Sequence, residues 1–471
     1  MKFVFYRHLL AFILAFGFIS TLLAVPGPGM EQSSSAFSVP VEYYKLANGL
    51  RVVISPDHSA PTVVVGVYYR IGFRVEPRDR TGFAHLFEHM MFQGSQNLGK
   101  MEMVRLVQQN GGVLNGSTRF DFTNYFEVMP ANKLETILWA EADRMRGLAI
   151  TEENLKNQQG VVENEVKVNV LNRPYGGFPW LDMPQYANTN WYNAHNFYGD
   201  LKDIEAATLP DVRQFFKTYY APNNAVLVTV GDFEPAKAKS MIEKYFASIP
   251  SVPLAKQPDL SEPKQEKEKR ATKVDPLAQR PALAVSYHMP ERNTREYYAM
   301  GLLDQMLLQG DDSLFHEALV KQRGFTDAVE GGINLLGNMF NYDGPMLWTA
   351  YLFHDSSVKP DDIIKAMESV IEPLRTKPID RTMLDRALIK FRSNFYDQLG
   401  SFNGFGRADL LASLALFDDN PARINDVEAR FRKVTPELIQ KTAAEYLRPE
   451  NRTVLVIETK PPAAADAKSR N

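Results

Sequence analysis

A chain of 471 residues, 45% apolar and 23% charged, is longer than one hydrophobic core needs and has no compositional sign of disorder, so two or more globular domains are expected. The net charge of −3 and the scattered Lys and Arg leave no basic face for nucleic acid. Cysteine is absent, which excludes disulfides, zinc–thiolate sites, a thiol nucleophile and a lipid-modified cysteine anchor.

In chain order, Lys2, Arg7 and His8 precede an apolar run from Leu9 to about Val25, which Pro26-Gly27-Pro28-Gly29 then stops. Residues 1–25 read as a secretory signal peptide with Ala24 before the cut. The competing reading is an uncleaved anchor, because the run nears the shortest length that spans a bilayer. Cleavage implies a bacterial periplasmic or secreted protein with no stable membrane span, and an export route without cysteine suits a periplasm. Tyr43 to Ser55 reads as a hairpin turning at Asn48-Gly49, and Pro61 to Gly66 as an apolar strand.

His85-Leu86-Phe87-Glu88-His89 follows. On a helix, residues four apart lie one above the other, so both imidazoles can share a metal, with Glu88 beside them and free to hold a water. The remaining histidines, His58, His195, His288, His316 and His354 among them, read as ordinary polar residues. A hydrolytic zinc site needs a third protein ligand. In the helical stretch Asn154 to Val170, Glu163 has Lys167 four residues on and reads as a solvent-side ion pair. Glu165 has Val161, Val162 and Val168 as helical neighbours, which places its carboxylate on an apolar face where it needs a cation or strong partner. It is the candidate third ligand; a buried capping or network acid is the alternative.

The pattern then repeats. Gly301-Leu302-Leu303-Asp304-Gln305-Met306-Leu307-Leu308-Gln309-Gly310 matches His85 to Gly94 in its apolar positions and its closing Gln-Gly, while Pro281 to Ser286 matches Pro61 to Gly66. Pro210-Asp211-Val212 and Pro436-Glu437-Leu438 each start a helix that leads to a final strand, Val226-Leu227-Val228 and Val454-Leu455-Val456. The expected class is α+β: two similar domains from internal duplication, each an antiparallel-rich sheet with helices packed on one face. The expected bounds are 38–250 for the zinc-bearing domain, 251–272 for a solvated linker, 273–460 for the second domain and 461–471 for a disordered tail. Gly301, Asp304 and Gln305 replace His85, Glu88 and His89 in the second copy, so a single active site is expected.

His-x-x-Glu-His is the inverted zinc motif, and the chain resembles the pitrilysin–insulinase metallopeptidases over roughly residues 40 to 458. It is most similar to the branch with two-domain subunits that includes the mitochondrial processing peptidases and their bacterial relatives. Matching stretches include Asn48-Gly49-Leu50-Arg51-Val52, Gly111 to Thr118, Tyr220 to Ala225 and Gly231-Asp232. The resemblance implies one Zn²⁺ held by His85, His89 and Glu165, Glu88 as catalytic base, and hydrolysis of extended or unstructured peptides. It also implies that substrate lies along the strand Gly112 to Ser117, with Asn115 touching its backbone; an ordinary turn or strand-end role is the alternative for Asn115.

Two departures stand out. Gln158 occupies a place where family members often carry a Glu, seven residues before the third ligand. Val320 and Asp327 occupy the places of an Arg and a Tyr that hold substrate in self-sufficient members, with Arg323 nearby but out of register. The resemblance thus implies a heterodimer in which this chain supplies the zinc and a homologous subunit supplies the Arg/Tyr pair. The alternative is a non-catalytic structural or scaffold subunit of the same fold.

Overall fold

The computed structural model describes residues 38–460, so the expected signal peptide and C-terminal tail lie outside the described residues. Six strands form the first sheet: β1 (Glu42–Lys45), β2 (Arg51–Pro56), β3 (Thr62–Tyr69), β4 (Val113–Thr118), β5 (Thr123–Pro130) and β6 (Ala225–Gly231), in the order β1-β2-β6-β3-β5-β4. Five form the second: β7 (Lys269–Asp275), β8 (Ala282–His288), β9 (Glu330–Ile333), β10 (Leu347–Phe353) and β11 (Arg452–Thr459), in the order β7-β11-β8-β10-β9. Without β1 the two orders are the same, and each sheet has one parallel pair, β2 with β6 and β7 with β11. The chain is therefore α+β and written twice, as the repeated sequence blocks imply.

The first hairpin turns where Asn48-Gly49 predicts. Gly49 has φ of 85°, and a Cβ there would meet the Asn223 side chain at 2.7 Å, so glycine is required on both conformational and packing grounds. The Asn48 amide donates to the carbonyls of Phe246 and Ile249, pinning the turn to the end of the first half.

Strand alternation sends successive side chains to opposite faces, and here both faces are apolar. Val63, Val65, Val67 and Tyr69 of β3 pack with the first half's own helices, α1 (Phe83–Met90), α2 (Glu102–Gln109), α3 (Leu134–Arg146) and α4 (Glu152–Val166). Val64 and Tyr68 face the other way with Phe126, Val226, Val228 and Val230, and their cover comes from the second half. The helix Arg381–Asp418, interrupted at residues 401–404, lays its C-terminal stretch there. Phe405 stacks on Phe126 at 3.7 Å between centroids, the Tyr68 hydroxyl donates to Asp409 (3.0 Å), and Arg51 donates to the carbonyls of Ala415 and Leu416.

The cover is returned. Ala282, Ala284, Leu347, Leu455 and Ile457 on the second sheet's outer face pack against Phe178, Met183 and Ala187 of the first half. Lys273 pairs with Asp182 at 2.9 Å and Lys269 donates to the Ala187 carbonyl. Each sheet carries its own helices on one face, as expected, and borrows the cover of the other.

The linker differs from its expected form. Lys269 to Thr272 already belong to β7, so the connection ends at Glu268, and it is docked rather than solvated. Glu262 accepts the Thr189 and Asn190 N–H groups and the Asn193 amide, while buried Gln265 donates to the carbonyls of Glu450 and Arg452. Alternating Lys and Glu concealed these contacts because they depend on partners far along the chain. No helix among the described residues is long and apolar enough to cross a membrane.

Because each half completes the other's core, the described region is expected to unfold as one unit. Phe126→Ala removes a buried ring at the shared face and is expected to cost about 3 kcal/mol. Urea unfolding followed by tryptophan fluorescence and far-UV circular dichroism checks both points: a single coincident transition, shifted to lower midpoint in the variant.

Candidate metal centre

Helix α1 begins at Gly82, whose φ of 79° turns the chain into the first turn. A Cβ at Gly82 would lie 2.4 Å from the Tyr198 carbonyl, so the helix start is packed directly on the segment that carries Tyr198. Phe83, Leu86, Phe87 and Met90 bury one face of α1 in the first-half core. His85 and His89 project together from another, with Nε2 atoms 3.3 Å apart.

Helix α4 brings the third donor. Its start is capped by Thr151, whose hydroxyl accepts the Asn154 N–H, and Glu165 sits in its last turn. Glu165 Oε2 lies 3.1 Å from His89 Nε2 and Oε1 lies 3.6 Å from His85 Nε2. Four ligands at about 2.0–2.1 Å in a tetrahedron are roughly 3.3–3.4 Å from one another. The two imidazole nitrogens have that spacing, each faces one Glu165 oxygen, and one donor atom from each of the three residues lies within 4.8 Å of the others. Two imidazoles with one carboxylate are a zinc donor set, so the residues fit the metal. Among the described residues this is the one group of His, Asp and Glu side chains close enough to hold an ion.

The surroundings favour the ligand forms of His85 and Glu165. Burial pushes the His85 imidazole down to about 4, helped by His89 and opposed by Glu165. Burial alone would raise the Glu165 carboxyl, but the hydrogen bond with His89, the two imidazoles and the Tyr198 hydroxyl hold it below its usual range. His85 Nδ1 is buried without a hydrogen-bond partner among the described residues, and Phe197 and Tyr198 pack against that ring at 5.1 and 5.0 Å between centroids.

Glu88 stands beside the cluster on α1. Its Oε2 accepts the Thr118 hydroxyl at 2.7 Å. Burial pushes its carboxyl up, Thr118 and His89 pull it down, and Glu165 pushes it up again. A carboxyl held above its usual range in an apolar wall is a competent proton acceptor and donor. Gly116 lets β4 approach, since a Cβ there would lie 3.3 Å from Glu88 Cγ.

Asn115 is exposed on β4, which among the described residues pairs only with β5 and forms an edge of the sheet. Alternation puts the Asn115 side chain on the face opposite Gly116 and Thr118, and its Oδ1 accepts the Gly116 N–H. Gln158 is buried two turns before Glu165 and its amide donates to Asn157. Asp327 is exposed and pairs with Arg280 at 3.0 Å; Arg323 is exposed and Val320 half-buried. Glu163 pairs with Lys167 at 2.5 Å, as expected.

One sequence argument needs correction. Val161 and Val168 are exposed, and of the three neighbours only Val162 is buried, so Glu165 does not lie on an apolar face. What holds it is the pair of imidazoles on α1. Thr118 and Tyr198 touch the site from β4 and from a loop, and no spacing in the sequence signals either. In the second copy Asp304 occupies the place of Glu88, accepts the Trp348 indole N–H at 2.7 Å and is pushed up to about 6 by burial. Gly301, at the place of His85, lies against Met339 and Phe431, 2.9 Å from where its Cβ would be, so that copy has no room for an imidazole.

Comparison with known proteins shows the family and the fold. Residues 51–180 match the family model described as insulinase (peptidase family M16), and residues 206–391 match that of the peptidase M16 inactive domain. The chain belongs to the insulinase (M16) peptidase family. It is 26% identical over 452 residues to the zinc protease PqqE of Helicobacter pylori, covering 94% of this chain and 98% of that one. A crystal structure of a protease from Helicobacter pylori superposes with a TM-score of 0.82 at 25% identity, over 89% of this chain and 100% of that one. A Pseudomonas fluorescens structure titled peptidase M16 inactive domain shares the fold, with a TM-score of 0.79 at 16% identity, over 90% and 98% of the two chains. In this M16 chain His85, His89 and Glu165 all lie within the segment matched by the insulinase model.

The His85 shift sets a pH dependence. Unfolded, this imidazole titrates near 6.5; folded, near 4. Between those values the unfolded chain binds more protons, so stability of the metal-free protein falls as pH drops through that window. Thermal melts of metal-free protein from pH 7.5 to 4.5 are expected to show this, with a shallower slope in His85→Gln.

Proposed function

We propose that this chain is a zinc-dependent endopeptidase subunit that hydrolyses extended or unstructured peptides. The observation that carries the reading is the convergence of His85, His89 and Glu165, with half-buried Glu88 alongside and the edge of β4 next to it. His85, His89 and Glu165 would hold the zinc, which would supply Lewis acidity to a hydrolytic water and a scissile carbonyl. Glu88 accepts the proton of that water and returns it to the leaving nitrogen. Thr118 keeps the Glu88 carboxylate turned toward the ligands, and Tyr198 does the same for Glu165. An extended peptide adds to β4 by main-chain hydrogen bonds, the ordinary use of an unpaired edge, with Asn115 on that strand as a backbone contact.

The chain acts with a homologous partner that supplies the Arg/Tyr pair, a reading supported by Val320 and Asp327 at those places. Export through the N-terminal apolar segment puts it in the periplasm or outside the cell. The same departure also favours a second reading, a scaffold subunit that has kept its metal site but lost turnover.

Glu88→Gln is expected to keep one zinc per chain and to lose cleavage of an unstructured peptide by about 10²–10⁴-fold. Metal content by atomic absorption and cleavage by mass spectrometry check it; full activity in the variant would sink the base assignment. Parent protein that binds zinc yet cleaves nothing, alone or with an Arg/Tyr-bearing homologue, selects the scaffold.

A further inference from the structure

Helix α1 has no side-chain cap at Gly82, so the N–H groups of its first turn need acceptors from elsewhere. Glu76 provides them. Its side chain is fully buried; Oε2 accepts the Gly82 N–H at 2.8 Å, and Oε1 accepts the Ala84 N–H. Both oxygens are therefore committed to one helix end, where a negative charge also meets the positive end of the peptide dipoles.

Glu76 leaves a short helical turn, Phe73–Val75, whose first two N–H groups donate to the carbonyls of Arg119 and Phe120. Those residues lie in the turn between β4 and β5, next to Thr118. The carboxylate thus ties the helix that carries the ligands to the strand end that holds Glu88. From the other side comes His195, whose Nε2 lies 3.8 Å from Glu76 Oε2 and has no hydrogen-bond partner among the described residues. Its side chain is 6% exposed, stacked on Trp191 at 4.2 Å, with Nδ1 against the Trp191 carbonyl. Two residues on, Phe197 and Tyr198 pack against His85, and Tyr198 binds Glu165. Burial pushes the Glu76 carboxyl up, and His195 and the two N–H groups pull it back.

We infer that Glu76, faced by His195, is a positioning residue of the metal centre. It fixes α1 in the place that lets His85 and His89 converge on Glu165. The inference rests on the reading of those three side chains as zinc ligands. Glutamine at position 76 would turn an NH₂ toward a backbone N–H, and aspartate would be one methylene too short to span Gly82 and Ala84.

The test compares the full chain with Glu76→Gln, Glu76→Asp and His195→Gln. Zinc affinity is measured by competition with a chromophoric chelator, and ligand geometry by the visible spectrum of the Co²⁺-substituted protein. Glu76→Gln and Glu76→Asp are expected to bind zinc at least about tenfold more weakly with an altered cobalt spectrum, and His195→Gln to move the same way by less. A folded Glu76→Gln with parental affinity and spectrum overturns the inference. If the Glu76 variants do not fold, His195→Gln decides it, and parental affinity there overturns it. A parent that binds no zinc sinks both this inference and the proposed function. Weakened zinc binding in the variants of a parent that cleaves no peptide leaves the inference standing and removes only the hydrolysis.

Discussion

Both sheets are apolar on both faces, and neither half owns enough helix to cover two. That constraint organises the molecule. The first half closes its inner face with α1 to α4 and leaves Val64, Tyr68, Phe126 and Val228 to the helix Arg381–Asp418. The second leaves Ala282, Ala284, Leu455 and Ile457 to Phe178, Met183 and Ala187. Apolar surface removed from water is the main favourable term in folding, so the exchange of covers binds the halves more firmly than a linker could. The docked segment around Glu262 and Gln265 follows from this, since it runs across surfaces already held together.

The candidate ligands come from α1 and α4, Thr118 on β4 donates to Glu88, and Phe197 and Tyr198 pack against His85. Two imidazoles and a carboxylate brought this close together form a donor set that a cation would satisfy. In the second copy the same framework is spent differently: Gly301 admits Met339 and Phe431, and Asp304 is absorbed by Trp348 and Gln309. A common backbone therefore carries either a centre or a filled core.

Much of this was legible in the amino-acid order. Asn48-Gly49 marks its hairpin because the turn demands positive φ, and the two histidines mark their helix because four residues make one turn. The duplicated blocks reveal the repeated sheet. Glu165 was legible in place but not in cause, since Val161 and Val168 turn outward and the imidazoles, not an apolar face, hold the carboxylate. Thr118, Tyr198 and Glu76 were not legible at all. Each reaches the site from a separate element, and only the folded chain brings them near. The exchanged covers were hidden for the same reason: a strand such as Val63–Tyr69 shows that both its faces are apolar without showing which part of the chain lies on each.

The exchange of covers has a consequence for reading damage in this chain. A fault at Phe405 or Asp409 lies more than two hundred residues from any ligand, yet it loosens the sheet on which α1 rests. Position along the sequence is thus a poor guide to which function a lesion reports. Loss of turnover from a change in the second half points to the foundation under the chemistry, and only measurements that separate folding from metal capture can tell the floor from the furniture.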